Sequence, residues 1–468
     1  MAAHPLFLTT KYMLNKLFQF LRLGTQPGHN RHKSARVLGP QQHDLRRNQI
    51  SKHALTVVDG LQQAGYEAYV VGGCIRDLLL ELKPKDYDVA TNATPEQVRE
   101  LFRNARIIGR RFKLVHVRYG REIIEVATFR SHQPMTAADQ SALALDQENG
   151  RILRDNIYGS QQDDAQRRDF TINALYYDPQ NEHILDQTHG LADLHNRLVR
   201  LIGPPQQRYQ EDPVRMLRAV RFAAKLDFAI EHHSAEPIAQ LAELLTNVPA
   251  SRLFDEVLKL FLSGQGLKTY QLLQQYQLLT PLFPATAQSL KNPDSSGDRL
   301  IRQALANTDE RIAIGKPVTP AFLFAALLWP ALPQRVVALR EQRLPPYVAF
   351  QRATMELIAQ QCLSTAIPKR FSIPMREIWD LQERLAQQRR AEQTLDHPRF
   401  RAAYDFLLLR ESAGENTGGL GDWWTAYQQA NPGSRQAMVR QLGTSKSKNG
   451  QRRRRRRRNG PADDQRHN

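Results

Sequence analysis

The chain has 468 residues, with 65 Lys plus Arg, 47 Asp plus Glu and a formal net charge of +18. This length exceeds one ordinary hydrophobic core, and no stretch approaches the roughly 18 to 20 uninterrupted apolar residues of a membrane span, which excludes a transmembrane protein. With Cys74 and Cys362 as its two cysteines, the chain has no disulfide framework, disulfide partner or cysteine-rich zinc site, and we predict a cytoplasmic protein.

The positive charge is concentrated at the two ends of the chain. Residues 1–50 contain eight Lys or Arg and one Asp, for +7, and residues 445–468 contain ten Lys or Arg and two Asp, for +8. Subtracting both from +18 leaves only +3 for everything between them. Basic ends indicate a polyanionic partner, either nucleic acid or an anionic membrane, and the alternative is that they only confer solubility.

The first predicted element is a basic amphipathic helix over residues 5–23. Its apolar face would be formed by Leu14, Leu17, Phe18 and Leu21. A helix of this type can lie on a membrane surface, which predicts a peripheral contact with the inner membrane. The alternatives are a helix docked on the protein and a translation start at Met13. Residues 24–47 are polar and predict a linker, so that residues 1–50 form an N-terminal extension.

Residues 51–203 have the pattern of a domain that mixes strands and helices. A helix over 51–64 ends at Gly65, and the capping sequence at Thr94-Pro95 starts another. The other predicted elements are strands over 69–71, 87–90, 111–119 and 122–129 and a helix over 74–80. Residues 131–166 are polar and lack a strong period, which predicts a mobile functional segment.

From about residue 205 the pattern is helical as far as about residue 442. The predicted order is therefore an α/β unit followed by an all-helical remainder. We divide this remainder into a first helical region over 204–265 and a second over 266–444. Residues 445–468 form a tail with seven consecutive arginines, whose mutual repulsion predicts disorder.

Asp86-Tyr87-Asp88 is the strongest local signal for chemistry. Side chains two apart on a strand point to the same face, so the two carboxylates repel each other unless a cation lies between them. Hard oxygen ligands suit Mg²⁺, which also takes phosphate oxygens as ligands. The alternative is an Asp-x-Asp that caps a turn.

Gly72-Gly73 precedes this pair and lies between a predicted strand and a predicted helix. Glycines in that position let backbone N–H groups and a helix N-terminus approach a phosphate, and Arg76 and Asp77 follow on the first turn of the helix. A tight turn is the alternative. A phosphate cradle before a metal pair predicts in-line phosphoryl or nucleotidyl transfer with two metal ions.

Further sequence blocks follow these two in order. The five blocks are 71–77 (VGGCIRD), 85–91 (KDYDVAT), 124–130 (IEVATFR), 167–174 (RRDFTINA) and 211–218 (EDPVRMLR). Together they resemble the class II nucleotidyltransferases of the polymerase-beta-like superfamily, which include bacterial poly(A) polymerases and CCA-adding enzymes. The resemblance implies an α+β fold: a small nucleotidyltransferase head with a mixed sheet and helices, then a helical neck, a helical body and a disordered basic tail. It also implies that the neck over 204–265 recognises the nucleotide base and that the body over 266–444 binds RNA.

The resemblance also implies roles for individual residues. Asp86 and Asp88 would hold two Mg²⁺ ions, with Mn²⁺ as a substitute, and either Glu125 or Asp169 would be the third catalytic carboxylate. The nucleotide ATP would be bound by Gly72, Gly73, Arg76, Asp77, Arg168 and Asn173. For Arg168 and Asn173 the alternative is a capped and salt-bridged helix start.

Asp212 and Arg215 are three residues apart, which on a helix puts them on one face. In the family the matching pair reads the base edge: Asp accepts from the exocyclic amine and Arg donates to a ring nitrogen, which suits adenine and cytosine and rejects uracil and guanine. The alternative is an ordinary intrahelical ion pair. Arg218 and Arg221 continue this stripe and would face the nucleotide phosphates or solvent.

Two features favour RNA polyadenylation over tRNA CCA addition. The segment 107–113 (IIGRRFK), with Arg110 and Arg111, resembles a segment of bacterial poly(A) polymerases. The tail provides sequence-independent, salt-sensitive contacts with RNA. Its arginines are Arg452, Arg453, Arg454, Arg455, Arg456, Arg457 and Arg458.

We therefore predict a template-independent adenylyltransferase that adds AMP from ATP to RNA 3′ ends and so promotes RNA decay, with RNA-decay proteins as further partners. The alternatives are a tRNA CCA-adding enzyme and a non-catalytic RNA-binding protein.

Overall fold

The computed structural model describes residues 36–109, 113–131, 143–145, 152–155, 158–290 and 295–442. Contacts divide the chain into Met1–Arg36 and Val37–Asn468, and the elements that build the site lie in the second unit.

A mixed eight-stranded sheet forms the centre of the head. Its strands are β1 Arg36–Leu38, β2 Ala68–Val71, β3 Tyr87–Thr91, β4 Ala105–Ile108, β5 Leu114–Tyr119, β6 Glu122–Thr128, β9 Leu175–Asp178 and β10 His183–Asp186. Their order across the sheet is β1-β10-β9-β2-β3-β6-β5-β4. The neighbours β3 and β6 are parallel, whereas β2 and β3 are antiparallel. Two small ribbons pair β7 Leu143–Leu145 with β8 Ile152–Asp155 and β11 Leu198–Val199 with β12 Ala229–Ile230. The predicted mixed sheet is confirmed.

Buried apolar side chains and acidic side chains alternate along β3 and β6, so the two faces of the sheet differ in chemistry. Val89, Ile124 and Val126 belong to the main buried core, together with the apolar side of the Lys52–Gln63 helix. Since successive side chains of a strand point to opposite faces, Asp88 and Glu125 project from the other face. The head helices are Lys52–Gln63, Gly73–Leu79, Pro95–Leu101, Gln161–Arg167 and Gly190–His195.

Regular structure begins earlier than the sequence predicts. Arg36–Leu38 is an edge strand of the main sheet, and Leu38, Leu45 and Ile50 are buried in the core. The interpretation of 24–47 as a linker is therefore wrong from residue 36 onward. A strand of three residues is too short to show a period, and only its long-range pairing identifies it.

The segment 131–166 is also more ordered than predicted where it is described. Ser160 accepts a hydrogen bond from the Asp163 N–H and caps a helix over Gln161–Arg167. That helix carries Asp164, which is 6 % exposed. The predicted helix over 5–23 and the predicted disordered tail lie outside the described residues.

Helices make up the rest of the described chain, as predicted, with β12 as an exception. They are Pro205–Glu211, Val214–Leu226, His232–Ala235, Ile238–Leu241, Ala250–Phe261, Gly266–Gln275, Leu279–Leu282, Pro284–Ser289, Ser296–Ala313, Pro320–Leu328, Leu332–Glu341, Pro346–Ser364, Lys369–Gln387, Ala391–Leu395, Phe400–Ser412 and Leu420–Gln429. Residues 432–442 are helical as well.

Within the described residues, one stretch, Pro320–Glu341, is long and apolar enough to cross a membrane by length and composition alone. The sequence reasoning overlooked it. More than half of its apolar window is buried inside the protein, and a 3₁₀ turn at Trp329–Ala331 divides it. Leu323, Phe324 and Leu327 are at most 1 % exposed, which is the pattern of a core helix in the body.

Candidate active site

The turn between β2 and the Gly73–Leu79 helix brings the backbone close to the predicted metal pair. Gly72 has a φ of +86°, a left-handed conformation that favours glycine, and its N–H donates to the Leu175 carbonyl at 3.2 Å. A Cβ atom on Gly72 would lie 3.5 Å from Arg168 Nη1 and 3.7 Å from Asp88 Oδ2. The missing side chain therefore leaves space beside these two groups, as a phosphate cradle requires.

Asp88 lies on β3 with a second carboxylate beside it. Its register partners are Val71 on β2 and Glu125 on β6, and residues in register on adjacent strands have side chains on the same face. Burial and then the charge of Glu125 raise the pKa of Asp88 to about 6, with Arg168 opposing and the exposed Asp86 adding to the rise. The structure thus brings the three predicted carboxylates 86, 88 and 125 to one edge of the sheet face.

This donor set fits a hard divalent cation. Burial and, after it, the charge of Glu125 disfavour the ionised form of Asp88 and raise its pKa, and a bound cation would offset both effects. Carboxylate oxygens are the ligands that Mg²⁺ prefers. Across the described ranges, no three His, Cys, Asp or Glu side chains are already gathered into a metal-binding group. The residues that fit the ion are therefore neighbours on two strands rather than a closed cage.

The two candidates for the third carboxylate have different surroundings. Glu125 accepts a hydrogen bond from His116 at 3.4 Å and is 42 % exposed in its side chain. Asp169 instead accepts from Arg218 Nε at 2.7 Å and from Asn173 Nδ2 at 3.2 Å. Although burial acts in the opposite direction, Arg218 and these hydrogen bonds lower the pKa of Asp169 to about 2. Glu125 is the candidate whose charge acts on Asp88.

Arg168 is held beside Asp88 by a buried network. Its Nε and Nη2 donate to Asp164 Oδ2 at 3.2 and 3.1 Å, and Nε also donates to the Tyr176 hydroxyl at 2.8 Å. Tyr176 in turn donates to Asp164 at 2.6 Å. Burial opposes the charge of Arg168, but Tyr176, Asp164 and Asp88 outweigh it and raise the pKa of the guanidinium. This arginine therefore keeps its charge next to the Gly72 turn.

Arg76, Asp77 and Asn173 form a buried cluster behind the turn. Arg76 donates to Asp77 Oδ1 at 2.6 Å and to Asn173 Oδ1 at 2.6 Å, and Arg76 and Asp77 are 3 % and 6 % exposed. Asp77 also pairs with Lys225 of the Val214–Leu226 helix at 3.3 Å. The contact between Asp77 and Lys225 joins the head to the Val214–Leu226 helix. Direct contact of this cluster with a nucleotide stays a prediction. The same holds for Gly73, where an added Cβ would lie 3.4 Å from Arg76 Nη2.

Asp212 and Arg215 do not lie on one helix, so the prediction of a shared helical face is wrong. Asp212 ends the Pro205–Glu211 helix with φ −149° and ψ 95°, because Pro213 follows and disfavours a helical conformation before it. Arg215 donates to Glu211 at 3.0 Å. Asp212 instead pairs with Arg252, on the Ala250–Phe261 helix.

Arg218 and Arg221 continue along the Val214–Leu226 helix towards the head. The guanidinium carbons of Arg76, Arg218 and Arg221 lie 5.1, 5.6 and 5.1 Å from the centre of the Phe222 ring. Burial, followed by the charge of Arg218, lowers the pKa of Arg221, and its buried Nε has no hydrogen-bond partner among the described residues. Such a cluster of cations favours an anion nearby.

Sequence reasoning missed several residues that position the site. Arg252, on the Ala250–Phe261 helix, donates to both oxygens of Asp212 at 2.9 and 2.8 Å. Arg208 donates to the carbonyls of Arg167 and Arg168 at 2.6 and 2.8 Å. The spacing of Arg208 and Glu211 could have signalled an i,i+3 pair. No local pattern links Arg252 to a residue forty positions earlier. Arg110, Arg111 and the tail arginines lie outside the described residues.

The fold and the site define a nucleotidyltransferase with a polymerase-type head. Three family models match the chain: "Poly A polymerase head domain" over 68–200, "Probable RNA and SrmB- binding site of polymerase A" over 227–290 and "Polymerase A arginine-rich C-terminus" over 342–459. A CCA-adding enzyme of Bacillus stearothermophilus, solved with CTP, is similar at 25 % identity and a TM-score of 0.51, over 80 % of each chain.

Curated relatives narrow this class. The chain is 50 % identical to the poly(A) polymerase I of Salmonella typhi over 412 residues, which are 87 % of this chain and 88 % of the relative. It is 47 % identical to the poly(A) polymerase I of Haemophilus influenzae over 411 residues, 86 % and 90 % of the two chains. The chain belongs to the bacterial poly(A) polymerase I family within the class II nucleotidyltransferases.

Proposed function

We propose that Asp86, Asp88 and Glu125 are the catalytic carboxylates of the nucleotidyl transfer. The chain is a template-independent polynucleotide adenylyltransferase that adds AMP from ATP to RNA 3′ ends and uses a divalent metal. The observation that carries the residue assignment is the register of Asp88 with Glu125, beside the Gly72 turn and Arg168. It supports Glu125 as the third carboxylate and leaves Asp169 to hold Arg218 in place.

In the transfer, the RNA 3′ oxygen forms a bond to the α-phosphorus of ATP, the bond from that phosphorus to the β-phosphate oxygen breaks, and pyrophosphate leaves. Asp86 and Asp88 would hold two Mg²⁺ ions, or Mn²⁺ in their place, which when bound supply positive charge at the attacking hydroxyl and the triphosphate. Arg168 binds the triphosphate at the turn, with Arg218 and Arg221 contributing charge from the neck helix.

Asp212 and Arg215 recognise the base edge, and Arg252 orients Asp212. Asp212 accepts two hydrogen bonds from Arg252 and one from the Val214 N–H at 3.3 Å, and its carboxylate oxygens are the acceptors we assign to the N6 amino group of adenine. Arg215 donates through Nη1 to the Arg208 carbonyl and to Glu211, and we assign its remaining N–H groups to the ring nitrogen N1 of adenine. Uracil and guanine present the reverse pattern at these positions and leave polar groups unpaired.

The direct test is incubation of the protein with unrelated RNAs and one nucleotide at a time. We expect long tails from ATP alone on RNAs of unrelated sequence, because the base is read by the protein and no template is needed. Denaturing gel electrophoresis of the products measures this. Addition limited to C, C and A on truncated tRNA would establish CCA addition instead, and no incorporation with any nucleotide would favour a non-catalytic RNA-binding protein.

Magnesium affinity should rise with pH up to about pH 6 and then level off. Burial and Glu125 raise the pKa of Asp88 to about 6, and a carboxylate binds the metal only when deprotonated. Below that pH each unit should weaken binding by about tenfold. Calorimetric titration of Mg²⁺ between pH 5 and 8 measures the effect, and Asp88→Asn is the control whose residual affinity should not follow this profile. A flat profile in the unsubstituted protein contradicts the assignment.

Deleting residues 445–468 should weaken RNA binding and flatten its salt dependence. Each lost phosphate contact removes about 0.7 from the slope of log K against log salt for a single strand, and the tail offers Arg452 to Arg458. Affinity for a 20-nucleotide RNA at several salt concentrations is the measurement, and the loss should greatly exceed that for AMP addition to a short primer. An unchanged slope means that the tail makes no contact with RNA.

RNA and ATP are the partners of this chain. RNA-decay proteins and an inner-membrane surface for residues 5–23 stay proposals that rest on the sequence. We also propose a cytoplasmic location, which the sequence predicts from its low cysteine content, with Cys74 and Cys362 as the two cysteines.

A further inference from the structure

Two adjoining cavities on the C-terminal part of the body form one groove. The first, of about 450 Å³, extends from Tyr347 to Arg384 and Arg390, and the carboxylates of Asp380 and Glu383 also line it. The second, of about 640 Å³, extends from Arg389 and Arg390 to Arg440. Arg390 and Gln393 line both. We call this continuous surface the arginine groove.

The groove carries excess positive charge at one end. Arg389, Arg390, Arg435 and Arg440 line the second cavity, with Glu392 as its acidic residue. Arg435 is already engaged, since it donates to Glu392 at 3.2 Å and to two backbone carbonyls. Arg389, Arg390 and Arg440 are exposed, and their guanidinium groups make no ion pair or hydrogen bond among the described residues. Three guanidinium groups thus remain for an anionic ligand.

The fold holds the backbone of Arg389 and Arg390 in a packed turn rather than on a free loop. Gln388 ends the Lys369–Gln387 helix in a left-handed conformation with φ of +51°, which costs a residue other than glycine about 1 kcal/mol. The chain then turns directly into the Ala391–Leu395 helix. Beneath the turn lies a separate buried cluster that includes Leu385, Ala391 and Trp424, so the two arginines at the turn rest on a packed base.

Tyr347 gives the other end of the groove a different chemistry. It is 72 % exposed on the first turn of the Pro346–Ser364 helix. The cavity around this ring has two arginines and two carboxylates, whereas the excess of arginines lies in the adjoining cavity. Proteins bind single-stranded nucleic acid by stacking a base on an aromatic ring while nearby cations contact the phosphates. An acidic peptide would use the arginines but would gain nothing specific from the ring.

We propose that the arginine groove binds a single-stranded segment of the RNA substrate, with Arg389, Arg390 and Arg440 on its phosphates and Tyr347 under one of its bases. This proposal rests on the RNA polyadenylation described above and adds a binding site outside the head. Guanidinium groups bind phosphates in a bidentate manner without reading sequence, which suits an enzyme that extends RNAs of varied sequence.

The first test replaces all three arginines in the full chain: Arg389→Gln, Arg390→Gln and Arg440→Gln. The matched control is Arg311→Gln, Arg340→Gln and Arg401→Gln, which removes the same charge from exposed positions of the body. Fluorescence anisotropy measures affinity for a 20-nucleotide RNA at several salt concentrations. Losing three phosphate contacts should lower the salt slope by about 2 and weaken binding on the order of a hundredfold at 0.1 M salt.

A salt slope equal to that of the control overturns the proposal. So does a triple variant that keeps RNA affinity but loses binding to a poly-glutamate peptide, because the groove would then be a site for acidic protein. Asp88→Asn tests the active site separately: it should abolish AMP incorporation while RNA affinity stays unchanged. A failure of the arginine-groove proposal can therefore be distinguished from a failure of the active-site assignment.

The second test concerns the ring. Tyr347→Ala should weaken binding of the same RNA about tenfold without changing the salt slope, since stacking involves no counterion release. Tyr347→Phe should restore the affinity, because it keeps the aromatic face. If Tyr347→Ala and the unsubstituted protein bind the RNA with equal affinity, the ring has no part in RNA binding. If Tyr347→Ala lowers the salt slope, stacking is not the role of the ring.

Discussion

Replacing Asp86 and Asp88 together by asparagine will lower AMP incorporation by about a thousandfold or more. The amides keep the size of the side chains but lose the negative charge that a divalent cation requires, so the positive charge needed at the attacking hydroxyl and the triphosphate is lost. Single-turnover incorporation of labelled AMP into a short RNA measures the effect. Unchanged incorporation would show that these carboxylates are not catalytic.

The same substitution should stabilise the metal-free protein near neutral pH. The folded-state pKa of Asp88 is raised to about 6, so the folded protein binds more protons than the unfolded chain between about pH 4 and 6 and loses stability as pH rises through that window. Removing the charge relieves a cost on the order of 3 kcal/mol. Thermal unfolding at pH 7 without metal measures it, with the exposed body residue Asp396→Asn as the control.

Replacing Asp212 or Arg215 by alanine will reduce kcat/KM for ATP by about a hundred- to a thousandfold and narrow the preference for ATP over UTP and GTP. Each substitution leaves a polar group of the base edge unpaired, and such unpaired groups carry most of the discrimination that binding sites achieve. Initial rates with each of the four nucleotides, on one RNA primer, give the ratios. Retained selectivity in both variants would exclude the pair from base recognition.

Substitutions of Arg252 test whether base selectivity depends on the orientation of Asp212 as well as on its contact with the base. It touches Asp212 through two hydrogen bonds, so Arg252→Gln should reduce the same selectivity by a smaller factor, and Arg252→Lys should recover part of it because one hydrogen bond remains. Lys259→Gln, on the same helix and paired with Glu256, is the matched control. If Arg252→Gln lowers stability but leaves the nucleotide ratios unchanged, the residue has only a structural role.

Local patterns predicted the parts of the site whose geometry is local. The i,i+2 spacing of Asp86 and Asp88 depends only on strand geometry, and the Gly72 turn depends on a glycine with positive φ next to a strand. The capping sequence at Thr94 also formed as predicted, with Thr94 and Gln97 in reciprocal hydrogen bonds. In each case residues fewer than five apart determine the conformation.

Other features depend on contacts between distant parts of the chain. The sequence left Glu125 and Asp169 as equal candidates, and they differ only because β6 pairs in parallel with β3 while Arg218 reaches Asp169 from the neck helix. The partner of Asp212 lies forty residues away. The edge strand Arg36–Leu38 exists only through its place in the sheet.

Residue types and their spacing were enough to predict the class of chemistry, the order of head and helical remainder, and the basic charge at the two ends. These three features depend on residue type, spacing and composition, and they can be recognised without knowing how the chain folds. Only the tertiary structure decided which carboxylate acts on Asp88, which arginines are engaged and which remain for a ligand. Strand register and packing between helices make those decisions, because they set the distances over which charges and hydrogen bonds act.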